Sequence, residues 1–389
     1  MRTLTRPCVL SLAAACACLA LMAAHAQKPQ RDVEQKAGAA RLYPVMVNFK
    51  WGYIDRTGKL VTELKYDQES RFGDGYAVVM SGLLAVDYEK AEPVGGMVAV
   101  PVGPEGIKWE IIDAAGKAVV RLPNDRHYVG SGFSEGLALF SVWQLGRGSV
   151  YGYMDTAGRV VVEPQFITAG YFREGLADVC KDYGRCGYID RSGKFVVPPK
   201  YKETHPFSEG LGALITQDEL LGFVDKAGEF VIPPRFGALA TQGFVGGLAP
   251  VGVAGSDRFG YIDKLGGFQI QPAFEAAGSF SEELAPAMSG GKWGYIDRSG
   301  KFVIQPLFTA AGSFSEGLAH ASTSDCVFAA TRGDDSPCGY GYIDKTGKFV
   351  VEQRFDYAEP FRDGVAHVIE HGGRGYIDRE GKFIWNPSK

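Results

Sequence analysis

Short runs in which hydrophobic and polar residues alternate return along the whole chain. In Trp293-Gly294-Tyr295-Ile296-Asp297 the side chains alternate as those of a strand do. Asp297-Arg298-Ser299-Gly300 then turns, and Lys301-Phe302-Val303-Ile304 runs back. Asp opening and Gly closing a four-residue turn suits a type I turn whose Gly is left-handed and forms a bulge. The Asp recurs at Asp55, Asp113, Asp155, Asp190, Asp225, Asp263, Asp297, Asp344 and Asp378, with shortest spacings of 34 and 35 residues. The pattern predicts nine hairpins.

More elements follow each hairpin in fixed order. A Pro column (Pro164, Pro199, Pro234, Pro272, Pro306) is expected to end the return strand, because Pro cannot donate to a ladder. Two residues on stands an aromatic: Tyr66, Phe166, Tyr201, Phe236, Phe274, Phe308 or Phe355. Then comes Phe-Ser-Glu-Gly-Leu-Ala, at Phe133–Ala138 and Phe314–Ala319 and in variants starting at Phe72, Phe172, Phe207, Phe244, Phe280 and Phe361. Its Leu-Ala stretch begins the strand leading into the next hairpin. From the hairpin Gly to this Phe is 20 residues in six copies, whereas the distance from Phe to the next hairpin Gly varies. Insertions are tolerated on exposed loops, so the connection after the Leu-Ala strand is predicted to face solvent, all nine along one rim.

Lys50-Trp51-Gly52-Tyr53-Ile54-Asp55-Arg56-Thr57-Gly58-Lys59, with the downstream elements, resembles the bacterial WG-repeat family over roughly residues 44–389. The family Trp stands at Trp51 and Trp293, with Tyr151, Cys186, Leu221, Phe259, Tyr340 and Arg374 at other copies, a drift that argues against the Trp as a ligand contact. The resemblance implies a tandem all-β array in exported or surface proteins and no particular reaction. The expected fold is therefore about nine three-stranded antiparallel meanders. They form an open or loosely curled array, with a closed propeller-like ring as the alternative. The short repeat and the complete meander at each end favour the open form over propellers, whose blades are longer and fewer.

The start of the chain adds a compartment. Arg2 and Arg6, the apolar stretch Cys8–Ala24 and the small-x-small site Ala24-His25-Ala26 read as a signal peptide over 1–26, giving a mature chain from Gln27. Residues 27–43 read as a polar linker and 44–389 as the repeat domain; a lipid on Cys16 is the weaker alternative. The protein is expected to be periplasmic or extracellular, with no transmembrane segment once the signal is removed. Losing the two arginines takes the net charge from −4 to −6, and no basic block stands out, which argues against nucleic acid. Four cysteines remain of seven, and an even count in an exported chain suggests disulfides. Of the three pairings open to them, Cys180–Cys186 and Cys326–Cys338 are favoured because each pair flanks one short loop.

Candidate chemistry is sparse. Each Asp of the ladder stands alone in its turn, which fits capping of the turn N–H groups and not calcium, whose sites gather several acids. The second acidic column, Glu135, Glu174, Glu209, Glu282 and Glu316 with Asp74 and Asp363, reads as a solvated edge. His320 and His367 share one register, with His371 four residues on, and read as a surface pair without the Cys or Asp that metal sites recruit. No nucleophile elbow, phosphate loop or zinc-protease motif occurs, so no cofactor and no enzyme are expected. The places that break the pattern are the insertion 80–108 and the Cys326–Cys338 segment with Thr331-Arg332-Gly333-Asp334-Asp335. The expected function is a non-enzymatic binding surface for an envelope protein or a cell-wall or extracellular glycan. The rival is a glycan hydrolase, which a cleft with two acids of differing burial would favour.

Overall fold

The computed structural model describes residues 41–83, 106–124, 126–128, 132–237, 243–324 and 339–388. The signal and linker up to residue 40, Cys16, most of the insertion 80–108, and Cys326 and Cys338 lie outside these residues. The protein is all-β, built of small antiparallel sheets in tandem, and no sheet closes on itself. In the fourth unit Leu176–Asp182 pairs with Arg185–Asp190, which pairs with Phe195–Tyr201.

Most units carry one strand more than the meander the pattern predicts. After the aromatic column two residues, such as Thr168–Ala169 or Ala310–Ala311, pair with the Leu-Ala strand that follows them. A strand of two residues is too short to leave an alternating signature. Five sheets thus have four strands, and a seven-stranded sheet joins the fifth and sixth units through Phe236↔Val253 and Gly237↔Gly252.

The Pro column does not end the return strand. Pro306 lies inside Phe302–Phe308, and Pro164 inside Val160–Phe166. Between Tyr295↔Ile304 and Trp293↔Phe308 the return strand holds two residues more than its partner, so Pro306 sits in a bulge where no ladder N–H is required. The bulge folds over the hairpin Gly. A Cβ on Gly294 would stand 2.5 Å from Ile304 O, and one on Gly187 2.3 Å from Val197 O. That close approach explains the Gly of the Trp-Gly pair.

The core is a set of repeated aromatic contacts. The hairpin Tyr packs on the Phe of the next Phe-Ser-Glu-Gly element, with centroids 4.9 Å apart for Tyr53–Phe72, 4.8 Å for Tyr295–Phe314 and 4.6 Å for Tyr342–Phe361. Its buried hydroxyl donates to a carbonyl 17 residues on: Ser70 at 2.7 Å, Gly170 at 2.7 Å, Gly278 at 2.8 Å, Gly312 at 2.8 Å and Glu359 at 2.7 Å.

Units are stitched by the Phe-Ser-Glu-Gly element itself. Ser281 Oγ donates to Phe314 O at 2.6 Å in the next unit, and Ser315 Oγ to Phe361 O at 2.7 Å. The acidic column is no solvated edge. Glu135 accepts from Gly175 N at 3.0 Å, Glu174 from Gly210 N at 3.0 Å and Glu316 from Gly364 N at 2.9 Å, and Asp74 does the same to Gly136. Every member of the column is left-handed, with φ between 51° and 54°, and a second left-handed residue, Gly in all but the copy where Glu283 follows Glu282, completes a primed turn. A non-Gly residue there costs about 1–2 kcal/mol. A hydrogen bond to a charged group contributes about 1.5–3 kcal/mol, so the stitch outweighs the strain.

The array curls until its ends meet. Each turn Gly sits on the return strand of the unit before it, as Gly300 does on Ile270 and Gly347 on Ile304, and Gly58 of the first unit sits in the same way on Ile384 of the last. In the last unit the hydroxyl of Tyr376 donates instead to Pro44 O of the first, at 2.8 Å. Tyr43 takes the position that the Phe holds in the other units, edge-on to Tyr376 at 5.5 Å, and donates to Arg362 O at 3.1 Å. Tyr43, Val45, Ile54, Val365 and Tyr376 bury together.

Candidate functional site

The nine-fold Asp ladder is structural. Asp297 Oδ1 accepts from Ser299 N at 2.8 Å, Ser299 Oγ at 2.6 Å and Lys301 N at 3.2 Å, and the same atom of Asp55, Asp113, Asp155, Asp190, Asp225, Asp263, Asp344 and Asp378 caps its own turn. The Ser299 hydroxyl is the main cause of the lowered Asp297 carboxyl. Among the described residues no cluster of His, Cys, Asp and Glu could hold a metal ion.

Cys180 and Cys186 face each other across their hairpin and are joined in a disulfide, with Cα atoms 3.9 Å apart. The loop between them is exposed at Tyr183. The histidines do not form a surface pair. His320 pairs with Tyr342 and packs against Gly312 and Tyr340, and burial pulls its imidazole down to about 4. His367, in the same register opposite Tyr376, lies 3.5 Å from Glu359 Oε1, while His371 is a left-handed turn residue.

The place where the array's ends meet is different. A cleft of about 130 Å³ opens between the first and last units, lined among others by Trp51, Glu69, Arg71, Glu359, Arg374 and Trp385. Arg71 Nη2 lies 2.7 Å from Glu359 Oε1. Burial pushes the Glu359 carboxyl up, but His367 and Arg71 outweigh it and bring it down to about 2. Glu69 goes the other way. Burial drives its carboxyl up to about 7 against the pull of Arg71 and Arg374. The Arg374 guanidinium lies 5.8 Å from the Trp51 ring centroid. Among the described residues, Glu69 Oε2 and Trp385 Nε1 are shielded and have no hydrogen-bond partner.

These residues are departures from their own repeat. At the position of Glu69, counted from the hairpin Tyr, other units have Ala169, Thr204, Ala277, Ala311 and Ala358; at that of Arg71 they have Tyr171, Pro206, Ser279, Ser313 and Pro360. Trp385 opposes Tyr376 where Val162, Val197, Ile232, Ile270, Ile304 and Val351 oppose theirs. Arg374 is the charged member of the Trp column. Local inconsistency with an otherwise regular pattern marks functional sites. Superposing the units by their Tyr would have shown this cluster in the sequence, but only the curl brings residues 69 and 374 together.

Seven segments, 51–82, 151–184, 187–220, 222–255, 259–293, 293–321 and 340–372, match the WG containing repeat, and together they make up more than half of the chain. The chain belongs to the WG containing repeat family. No curated protein matches it in sequence. Among solved structures, the computationally designed Ika8 protein is similar with a TM-score of 0.47 and 11% identity, over 87% of this chain and 99% of that one. BamB from Moraxella catarrhalis follows with a TM-score of 0.41 and 9% identity, over 90% and 94%. Streptogramin B lyase has a TM-score of 0.36 and 13% identity, over 63% and 90%. At these scores the likenesses bear on neither ligand nor activity of this WG-repeat protein. Among the described residues no helix is long and apolar enough to cross a membrane.

Proposed function

We propose that this WG-repeat protein is a non-enzymatic, exported binding protein whose partner is an envelope protein or glycan, and that the cleft between its first and last units is the binding site. One observation supports this most. The polar columns of the repeats are engaged in caps and stitches, whereas the charged and aromatic departures from the repeat gather at one concavity. Pockets with a few convergent polar groups and perturbed carboxyls are where ligands bind. Crosslinking in the envelope, followed by co-purification with the wild type and with Arg374→Ala, tests it. A partner captured by the first and lost by the second is expected; equal capture by both would move the site elsewhere.

A second reading has its own observation. Glu69 and Glu359 are pushed apart, to about 7 and about 2, as the acid and base of a hydrolase are. Glu359, however, is already held by Arg71 and His367. Release of reducing ends from a glycan by the wild type, abolished in Glu69→Gln, would establish this reading over the first.

A further inference from the structure

We infer that the cleft between the first and last units takes a pyranose saccharide, stacked on indole and hydrogen-bonded by Glu69, Arg71 and Arg374; this rests on the cleft being the binding site proposed above. The chemistry of the unspent groups carries it. Glu69 Oε2 is an acceptor and Trp385 Nε1 a donor, both shielded and both lacking a partner among the described residues. A buried polar atom without a bond costs about 1–3 kcal/mol, so both favour a ligand that accepts and donates from neighbouring atoms. Sugar hydroxyls do both. Carboxylate and guanidinium are planar groups that each engage two adjacent hydroxyls.

Shape agrees. Two tryptophans, Trp51 and Trp385, line the same cleft, one of them at a position where most other units place Val or Ile. An indole offers a rigid apolar face to the C–H face of a pyranose while its N–H remains a polar handle.

The experiment uses the whole exported protein, titrated with maltotetraose, chitotetraose and cellotetraose while tryptophan fluorescence and heat are recorded. At least one should bind with a spectral shift, and Glu69→Gln and Arg374→Ala should each weaken it about tenfold or more. Trp143→Ala, on an exposed hairpin remote in sequence, should leave binding unchanged. Circular dichroism of each variant separates lost binding from lost fold. Binding that survives both cleft substitutions overturns the inference. So does failure of all three sugars while a protein is still captured through Arg374; the binding reading then stands. Failure of sugars and of capture together overturns both. A sugar that binds and is cleaved supports the saccharide and overturns the non-enzymatic reading.

Discussion

Replacing Glu69 by Gln should make the protein more stable above neutral pH and leave it unchanged in mild acid. The native carboxyl titrates at about 7 because burial disfavours its charge, against an ordinary value of 4.5. The native state therefore binds the proton more tightly than the unfolded chain, and stability must fall as pH rises from 4.5 to 7, with the full penalty present above 7. A shift of that size corresponds to about 3 kcal/mol, at 1.36 kcal/mol per unit. Gln keeps the shape without the charge, so the difference between variant and wild type isolates this one group from every other titration. Urea unfolding of both proteins at pH 4.5, 6 and 8 measures it. The two curves should coincide at pH 4.5 and separate by 2–3 kcal/mol at pH 8, within the roughly 3 kcal/mol ceiling. A gap independent of pH would refute the argument, since it would mean that the Glu69 carboxyl is solvated in the native state.

Other outcomes follow from the same geometry. Gly294→Ala should cost about 3 kcal/mol or more in urea unfolding, since its Cβ would meet Ile304 O at 2.5 Å. Glu174→Ala should cost about 1.5–3 kcal/mol by loss of the bond to Gly210 N, and Glu174→Gly less, because Gly relieves the positive φ. Reducing Cys180–Cys186, whose partners are 6 residues apart, should lower stability by about 2 kcal/mol in the chain-entropy view, read from thermal unfolding with and without dithiothreitol. Glu359 behaves oppositely to Glu69: its stabilisation is complete above 4.5 and lost as pH falls towards about 2, so the gap between wild type and Glu359→Gln should close in acid.

The hairpins, their turns and the tandem order were legible because their causes are local. Alternation marks the strand, and Asp and Gly at the two ends of four residues mark the turn. The stitches were not legible, because Glu135 and its partner Gly175 are 40 residues apart and the acidic column looks like any exposed one. Pro306 misled for a related reason: the rule that Pro ends a strand holds for a regular ladder, and here the strand bulges at that residue. The cleft lay furthest out of reach. Glu69 and Arg374 stand at opposite ends of the chain, and no periodicity states how far nine units bend. The insertions, which broke the spacing most visibly, drew attention away from single residues that broke the repeat without changing its length.

The hydroxyl of Tyr376 reaching Pro44 has an arithmetical consequence. A superhelix can gain or lose a module anywhere and merely change length, but here the last module must arrive where the first one waits. The number of modules is then fixed by the angle each adds, as teeth fix a gear. Duplicating or excising one should leave the two termini unable to find each other, whereas cutting the backbone at an exposed rim loop and splicing the old ends should preserve every contact. Evolution can revise such a molecule residue by residue, but it cannot easily count to eight or ten.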